Sequence, residues 1–399
     1  MGRRNITVIG GGIAGLVASI AAAETGASVI VHEAHGMLGG RARSTAGDFV
    51  ANHGPHAIYT DGPMWAWLKD RRLTPKVARP RLTGLRFRVD GRSRGTPPAT
   101  FVRALALLRR RAPHDVDLRT WAASRAGDEV AATLSSACGV FCFDHDPGRL
   151  SAAFAIERAR RAFRVPPSAR FPVGGWTSLV DLLAGRAREL GVQIALNSPV
   201  DRLPAPPVII ATDLRAARRL LGDDSPHWTG TRTMLLDVGL VFDRRDPTIV
   251  SDLDEAGWAE RFSAQDRSLA PTGHSLLQVH LGARRDEGLD AALVRIERLL
   301  DETVAGWRER EVWRRRQLVT DSSGALDLPG MTWHDRPTID RGDGTFLAGD
   351  MVAAPGLLGE VAWASAIEAA ALAVGSDGPG AQGWANDAAP STVKARSSR

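Results

Sequence analysis

The chain is poor in several residue types, and each shortage excludes a class of protein. It has two cysteines in 399 residues, and only three of its 51 basic residues, Lys69, Lys76 and Lys394, are lysines. Cys138 and Cys142, four positions apart, match neither a CxxC redox pair nor a zinc pattern. We therefore expect two buried apolar side chains, no metal site and a reducing cytoplasmic location.

Long apolar runs are also missing, which predicts that no helix spans a membrane. No basic-then-apolar leader precedes Ile6, so we expect no signal peptide. A hydrophobic content of 44% and a charged content of 24% are typical of a globular chain with room for two domains. The net charge of +6 comes from arginines spread along the chain, which indicates a GC-rich bacterial genome rather than a nucleic-acid partner.

The strongest functional pattern lies between Ile6 and Glu33. A short apolar strand runs into Gly10, Gly12 and Gly15, spaced as GxGxxG, and an Ala-rich helix and a second strand follow. The first glycine allows a tight turn, the second lets the backbone approach a pyrophosphate, and the third lets the helix pack on the strand. Glu33, at the end of the second strand, is placed to accept hydrogen bonds from a ribose. The pattern predicts dinucleotide binding; the alternative is a purely structural glycine turn.

A second glycine pair, Gly39 and Gly40, precedes Arg41. This suits another close approach of the backbone to the same phosphates, with the arginine as a forked donor. The alternative is a surface loop. Near the other end of the chain, an apolar strand runs into Gly349 and Asp350, and an Ala-rich helix follows.

Between these motifs, a PVGG segment leads into a helix over 178–190, and an apolar strand follows over 208–212. With its motifs in this order, the chain resembles the FAD-binding superfamily of amine oxidases, protoporphyrinogen oxidases and phytoene desaturases, and most of all its phytoene-desaturase-like members. The resemblance covers most of the chain.

The resemblance implies an α/β fold with a Rossmann-type FAD-binding domain and a second, α+β substrate domain that carries a helical cap. The FAD-binding domain is expected over 1–75, 171–225 and 340–376. The substrate and cap domain is expected over 76–170 and 226–339. The segment 377–399 is rich in small and polar residues without periodicity, which predicts a disordered tail.

The resemblance also assigns roles to single residues. Asp350, which follows Gly349, is expected to contact the ribityl or pyrophosphate region of FAD. The start of the last helix is expected to face the pyrimidine edge of the flavin. The expected FAD-binding residues are Gly10, Gly12, Gly15, Glu33, Gly39, Gly40, Arg41, Gly54, Pro55, His56, Val200, Gly349, Asp350, Leu358 and Val361. His56 is the candidate catalytic residue, as an acid or base near neutral pH. It could instead hydrogen-bond the flavin or hold its loop.

The implied function is an FAD-dependent oxidoreductase that binds FAD non-covalently and passes a hydride from an apolar small molecule, an isoprenoid, lipid or secondary metabolite, to flavin N5. Oxygen or a quinone would accept the electrons. One alternative is an amine or protoporphyrinogen-type oxidase using O2; another is an FAD-binding protein without catalytic activity. Amine oxidation ranks lower because the chain has one tyrosine, and no lysine in the second substrate-domain segment.

Two basic amphipathic stretches, 101–111 and 154–163, allow two interpretations. Such helices can lie on anionic lipid, which would give the protein a peripheral membrane contact. The alternative is a helical cap over the flavin with a solvated arginine face.

Overall fold

A computed structural model describes residues 4–54 and 56–375 of the chain. Pro55 and the tail expected over 377–399 lie outside the described residues. The strands are β1 Asn5–Ile9, β2 Ser28–His32, β3 Ile58–Tyr59, β4 Val77–Ala78, β5 Leu85–Val89, β6 Arg92–Arg94, β7 Ala169–Pro172, β8 Gln193–Ala195, β9 Val208–Ile210, β10 Gly230–Val241, β11 Ile249–Asp252, β12 Trp258–Glu260, β13 His274–Gly282, β14 Glu311–Ala325 and β15 Thr345–Leu347. The helices are α1 Ile13–Glu24, α2 Pro63–Asp70, α3 Ala99–Leu107, α4 Leu118–Ala126, α5 Asp128–Ala137, α6 Gly139–Cys142, α7 Ala152–Ala162, α8 Thr177–Glu189, α9 Leu214–Leu221, α10 Leu289–Thr303, α11 Trp307–Arg310 and α12 Gly359–Val374.

The first sheet is parallel and has the strand order β15-β9-β1-β2-β8. Its central strands are apolar and β-branched, as expected for a parallel sheet covered on both faces. Helices α1 and α12 pack on each other through small alanine side chains, and α8 also packs on α1. This architecture confirms the predicted α/β fold with a Rossmann-type sheet. Its strands come from segments predicted for the FAD-binding domain, whereas the domain boundaries themselves stay a prediction.

The second sheet is mixed and has the order β14-β10-β13-β12-β11-β5-β6. Its long central strands alternate in character, because successive side chains point to opposite faces. One face of β10 carries Met234, Leu236 and Val238, which pack against Ile296 and Leu299 of α10. The opposite face of the sheet carries polar and aromatic side chains, and it belongs to the candidate site described below.

A cap of five helices, α3 to α7, has its own apolar core. Cys138 and Cys142 are free and buried in it, as the sequence predicted. Two arginines of the basic stretch on α7 are paired with groups of the protein, although Arg160 remains exposed. Arg160 donates to the carbonyl oxygens of two residues that follow α3. Arg161 forms ion pairs with Asp61 and Glu360, so these arginines are bound within the protein.

One predicted helix is shorter than its pattern suggested. The helical spacing of the apolar residues Leu293, Ile296, Leu300 and Val304 predicts a helix over 290–310, but α10 ends at Thr303. Val304 is extended and Gly306 has a left-handed φ of 59°, so the chain turns before the short helix α11 begins. Within the described ranges, no helix is both long and apolar enough to cross a membrane.

The fold makes a direct test of the third fingerprint glycine possible. A Cβ atom on Gly15 would lie 1.8 Å from the carbonyl oxygen of Gly10. Gly15→Ala must therefore push α1 away from β1, and we expect the free energy of unfolding to fall by about 1–3 kcal/mol. Urea denaturation measures this change.

Gly185 of α8 provides the matched control, because a Cβ atom there would meet no atom within 4 Å. Gly185→Ala should raise the free energy of unfolding by up to about 1 kcal/mol through helix propensity. Equal stability of Gly15→Ala and the wild type would contradict the close approach of α1 to β1.

Candidate functional site at the edge of the parallel sheet

The carboxyl ends of four parallel strands meet at one edge of the first sheet. Gly10 follows β1, Glu33 follows β2, Ala211 follows β9 and Gly349 lies two residues after β15. Gly10 has a φ of 106°, and a Cβ atom there would lie 2.5 Å from the carbonyl oxygen of Ala211. Since β2 and β8 lie on one side of β1 and β9 and β15 on the other, this is the point where the strand order reverses. Ligands of open α/β sheets bind at such a point.

Gly12 opens the N-terminus of α1 to this edge. Its backbone is extended, with φ at −74°, and it caps the helix without a side chain. A Cβ atom on Gly12 would meet no protein atom within 4 Å, whereas those on Gly10 and Gly15 would collide with backbone. The space in front of a helix N-terminus suits an anion. The fingerprint therefore fits a pyrophosphate.

The second glycine pair lies directly against the fingerprint. The N–H of Gly39 donates to the carbonyl oxygen of Gly11 at 2.8 Å, and Gly39 has a φ of 104°. A Cβ atom on Gly40 would lie 3.5 Å from the Cα of Gly12. The structure thus brings the two glycine segments predicted to contact the cofactor into one backbone surface.

Glu33 is turned toward the fingerprint loop. Its Oε2 accepts from the N–H of Gly11 at 2.7 Å, and its Oε1 accepts from the N–H of His35 at 2.9 Å. Burial by itself would raise the pKa of Glu33, but these two backbone donors and the His35 ring lower it below the usual value. Glu33 is therefore an ionised residue that holds the loop. Sequence reasoning missed this role beside the expected contact with ribose.

Arg41 and Asp350 lie 309 residues apart in sequence and form a two-pronged ion pair, with both N–O distances at 2.8 Å. Arg41 also donates to the carbonyl oxygen of Asp321. The nearby negative charge of Asp350 raises the pKa of Arg41 above its usual value. The forked guanidinium of Arg41, predicted to face phosphates, is therefore directed at Asp350, predicted to contact the ribityl or pyrophosphate region of FAD. A crevice lies beside this pair, lined also by Thr212 and Asp213.

The remaining predicted residues of this edge are held by the last helix and its neighbours. The N–H of Gly349 donates to Oγ of Ser365 at 2.9 Å, which ties the end of β15 to α12. Leu358, at the start of α12, has a φ of 54°, a strained value for a branched side chain. Val361 is buried behind it, and Val200 is half-buried against the core of the first sheet.

Asn52 and Gly54 join this edge to the second sheet. A Cβ atom on Gly54 would lie 3.0 Å from the carbonyl oxygen of Arg41. The carbonyl oxygen of Asn52 accepts from Gln278 Nε2 at 3.2 Å and from Arg315 Nη2 at 2.7 Å. The predicted cofactor segment is therefore bound to the polar face of the second sheet.

That polar face carries a row of four side chains across four strands. Arg315 of β14 lies opposite Asp237 of β10, which lies opposite Gln278 of β13, which lies opposite Glu260 of β12. Asp237 accepts from Arg315 Nε at 2.6 Å and from Gln278 Nε2 at 2.7 Å. We call these four residues the polar row. Breaking such a buried ion pair leaves an uncompensated charge and is strongly destabilising.

Glu260 ends the polar row without a cation. It is buried, and its Oε1 accepts from Nε2 of Gln265. Burial raises the pKa of Glu260 to about 8. At neutral pH the polar row therefore contains one neutral carboxylic acid beside one ion pair.

His56 lies next to the polar row in an aromatic group. Its ring stacks on Phe262 with 4.5 Å between centroids and meets the ring of His280 at 4.7 Å. Burial lowers the pKa of His56 to about 3 and holds the pKa of His280 well below its usual value. Both rings are neutral at physiological pH. His56 therefore fits a neutral hydrogen-bonding group better than a general base working near pH 7.

Sequence reasoning missed His280 and the polar row. The signal was present as alternation: Asp237 interrupts the apolar run that begins at Met234, and Gln278 and His280 stand two positions apart in another strand. Polar residues spaced by two on a buried strand lie on one face. Which strands lie side by side could not be read from that spacing.

Comparison with known proteins supports the same fold. A family described as an NAD(P)-binding Rossmann-like domain matches residues 8–71. No curated protein matches the sequence. An oxidoreductase from Methanosarcina mazei has a TM-score of 0.74 at 16% identity, covering 91% of this chain and 98% of its own.

Two further solved structures have similar overlap. A putative protoporphyrinogen oxidase from Exiguobacterium sp. 255-15 has a TM-score of 0.66 at 17% identity, with 93% of this chain and 97% of that chain covered. Cyclohexylamine oxidase from Brevibacterium oxydans IH-35A has a TM-score of 0.66 at 15% identity, with 94% and 98% covered. At such identities the likeness establishes the fold and leaves the reaction open.

The raised pKa of Glu260 predicts a pH-dependent stability. Between the usual value of 4.5 and about 8, the folded protein holds a proton that the unfolded chain has lost. The contribution of Glu260 to the free energy of unfolding therefore falls as pH rises through this window, by up to about 1.4 kcal/mol per pH unit. Glu260→Gln removes this proton exchange. The difference in free energy of unfolding, variant minus wild type, should become more positive from pH 5 to pH 8.

Urea denaturation at pH 5, 6.5 and 8 measures that difference. Glu189→Gln is the control, because the Glu189 side chain is 69% exposed. If the Glu260→Gln difference stays constant across these pH values, Glu260 is not a neutral acid in the folded protein.

Proposed function

We propose that this chain is an FAD-dependent oxidoreductase that binds FAD non-covalently and oxidises an apolar small molecule. The observation that carries the proposal is the shared edge of the parallel sheet. There the open N-terminus of α1 at Gly12, the glycine pair at Gly39 and Gly40, and the Arg41–Asp350 pair lie together. All three come from motifs that the FAD-binding superfamily uses for its cofactor.

Within this proposal, each part of the edge has a binding role. The N-terminus of α1 would hold the pyrophosphate, with Gly12 giving the backbone access to it. Glu33 would accept hydrogen bonds from the ribose with the lone pairs that Gly11 and His35 leave free. Arg41 and Asp350 would contribute a donor and an acceptor near the phosphates and the ribityl chain. The segment up to His56 would lie beside the flavin ring.

The flavin, when bound, would supply an acceptor for the two electrons removed from the substrate. The chain would supply position and environment. The polar row holds the segment that starts at Asn52 in place through Gln278 and Arg315. The buried aromatic rings around His56 exclude water and favour an apolar substrate. Oxygen or a quinone would then accept the electrons.

The main alternative is an amine or protoporphyrinogen-type oxidase that uses O2, and a second is an FAD-binding protein without catalytic activity. The structural likeness to cyclohexylamine oxidase supports the first only at the level of fold. Anaerobic mixing with candidate substrates separates the three. Bleaching of the flavin by apolar compounds supports our proposal, bleaching by amines supports the first alternative, and no bleaching by any compound class supports the second.

The location of the protein remains part of the proposal. We favour a cytoplasmic protein, because Arg160 and Arg161 of α7 are bound to carbonyl oxygens and carboxylates of the protein itself. A peripheral membrane contact would then have to involve α3, whose exposed face includes Val102 and Arg103.

An absorbance spectrum of the purified protein tests the cofactor first. We expect flavin bands that move to the supernatant after acid precipitation, because non-covalent FAD is released when the fold is lost. A colourless protein that FAD does not reconstitute would overturn the proposal. Bands that stay with the precipitate would show a covalent link and correct that part of it.

Gly12 allows a sharper test of the binding site. Gly12→Val should abolish FAD binding, because the side chain would fill the space in front of α1. The fold should remain, since the backbone at Gly12 is extended and accepts any residue. Flavin content per chain and circular dichroism report the two effects.

Gly288 is a closely matched control, because it also caps a helix with extended backbone and has no atom within 4 Å of its Cβ position. Gly288→Val should keep the full flavin content. Normal flavin content in Gly12→Val would refute the position of the pyrophosphate.

A further inference from the structure

Three ring nitrogens of two neighbouring histidines are buried without a hydrogen-bond partner among the described residues. They are Nε2 of His56 and both Nδ1 and Nε2 of His280. The two residues are 7% and 4% exposed, and their rings lie 4.7 Å apart. Buried polar atoms are almost always hydrogen-bonded in folded proteins, so these three nitrogens call for a partner that the described residues do not supply.

Aromatic side chains surround His280. Trp258 lies opposite it on the adjacent strand, with the ring centroids 5.1 Å apart, and Phe143 lies 5.7 Å away. Trp258 is buried, whereas Phe143 is half-buried and therefore reaches solvent. Phe143 also has a φ of 55°, which is strained for a bulky residue. Strain of this kind is concentrated at ligand sites, and here it lies at an aromatic residue whose ring contacts that of His280.

The charges around the two histidines disfavour a cation. Arg315 lies close enough to lower the pKa of both rings, in addition to the larger effect of burial. Asp237 is already bound by Arg315 and Gln278. Glu260 is held neutral by burial and bonded to its neighbour. Among the described residues of this face, no ionised carboxylate is left to pair with an ammonium group.

We propose that His280, together with His56, binds the uncharged hydroxyl or carbonyl group of an apolar substrate and selects against amines. The proposal rests on the proposed oxidation of an apolar molecule and adds the polar group that the substrate carries. A neutral imidazole offers one donor and one acceptor, which matches a hydroxyl group. The aromatic walls take the apolar body beside it.

Three probes with the same ten-carbon skeleton test the selection. Geraniol carries a hydroxyl group, geranylamine carries an ammonium group at neutral pH, and 2,6-dimethyl-2,6-octadiene carries neither. They are titrated into the FAD-loaded protein, with the shift of the flavin absorption bands and the calorimetric heat as readouts. We expect geraniol to bind roughly fivefold to tenfold more tightly than the other two, the effect of one buried hydrogen bond.

His280→Leu is the diagnostic variant, because leucine is close to histidine in size and lacks the nitrogens. We expect it to lose the preference for geraniol while the hydrocarbon binds as before. We also expect its melting temperature to rise by about 2–4 °C, since two unpartnered buried nitrogens disappear. His280→Gln restores a donor and an acceptor and should recover most of the preference.

His274 provides the control, because it lies on the same strand and face but is only half-buried. His274→Leu should leave all three affinities unchanged. A wild-type protein that does not prefer geraniol, or a preference that survives in His280→Leu, overturns the inference. Either outcome leaves the proposed function standing. A protein that cannot bind FAD would instead refute the proposed function. Calorimetry with the three probes can still test the histidine site in such a protein.

Discussion

Parallel pairing in the first sheet is the constraint on which the rest of the structure depends. Strands that run in the same direction end at the same edge, so residues at the ends of β1, β2, β9 and β15 meet although the chain between them builds a second sheet and a cap. The Arg41–Asp350 ion pair is a consequence of this geometry. So is the collision that a side chain on Gly10 would have with Ala211. Reversing one of these strands would move the group at its end away from this edge.

The second sheet contributes through its alternation rather than its direction. Because neighbouring residues on a strand face opposite ways, β10 and β13 can pack one face against α10 and present the other to the segment that starts at Asn52. The polar row lies on that second face. Gln278 and Arg315 each bind Asp237 within the sheet and the carbonyl oxygen of Asn52 outside it. The position of the predicted cofactor segment is therefore fixed by side chains more than 200 residues further along the chain.

The sequence could predict those parts of the structure that depend on local spacing. The glycine fingerprint, the second glycine pair and the helix predicted over 178–190, observed as Thr177–Glu189, all follow from patterns within about twenty residues. The polar row could not be predicted in this way, because it needs the strand order β14-β10-β13-β12 and its register. A shift of one residue would turn Gln278 into the apolar face. The break at Gly306 was missed for a different reason: the apolar spacing continued through it.

His56 shows how burial changes the chemistry that residue type suggests. A histidine beside a cofactor segment predicts a group that exchanges protons near pH 7. Here burial among the surrounding rings and the charge of Arg315 lower the pKa of His56 to about 3, so its ring is neutral above that pH. The same environment keeps Glu260 protonated up to about 8. Between roughly pH 4 and pH 7, a unit inside these two values, both side chains stay largely uncharged. Such a face suits the removal of electrons from an uncharged molecule, because that chemistry needs orientation and exclusion of water more than it needs a side chain that titrates.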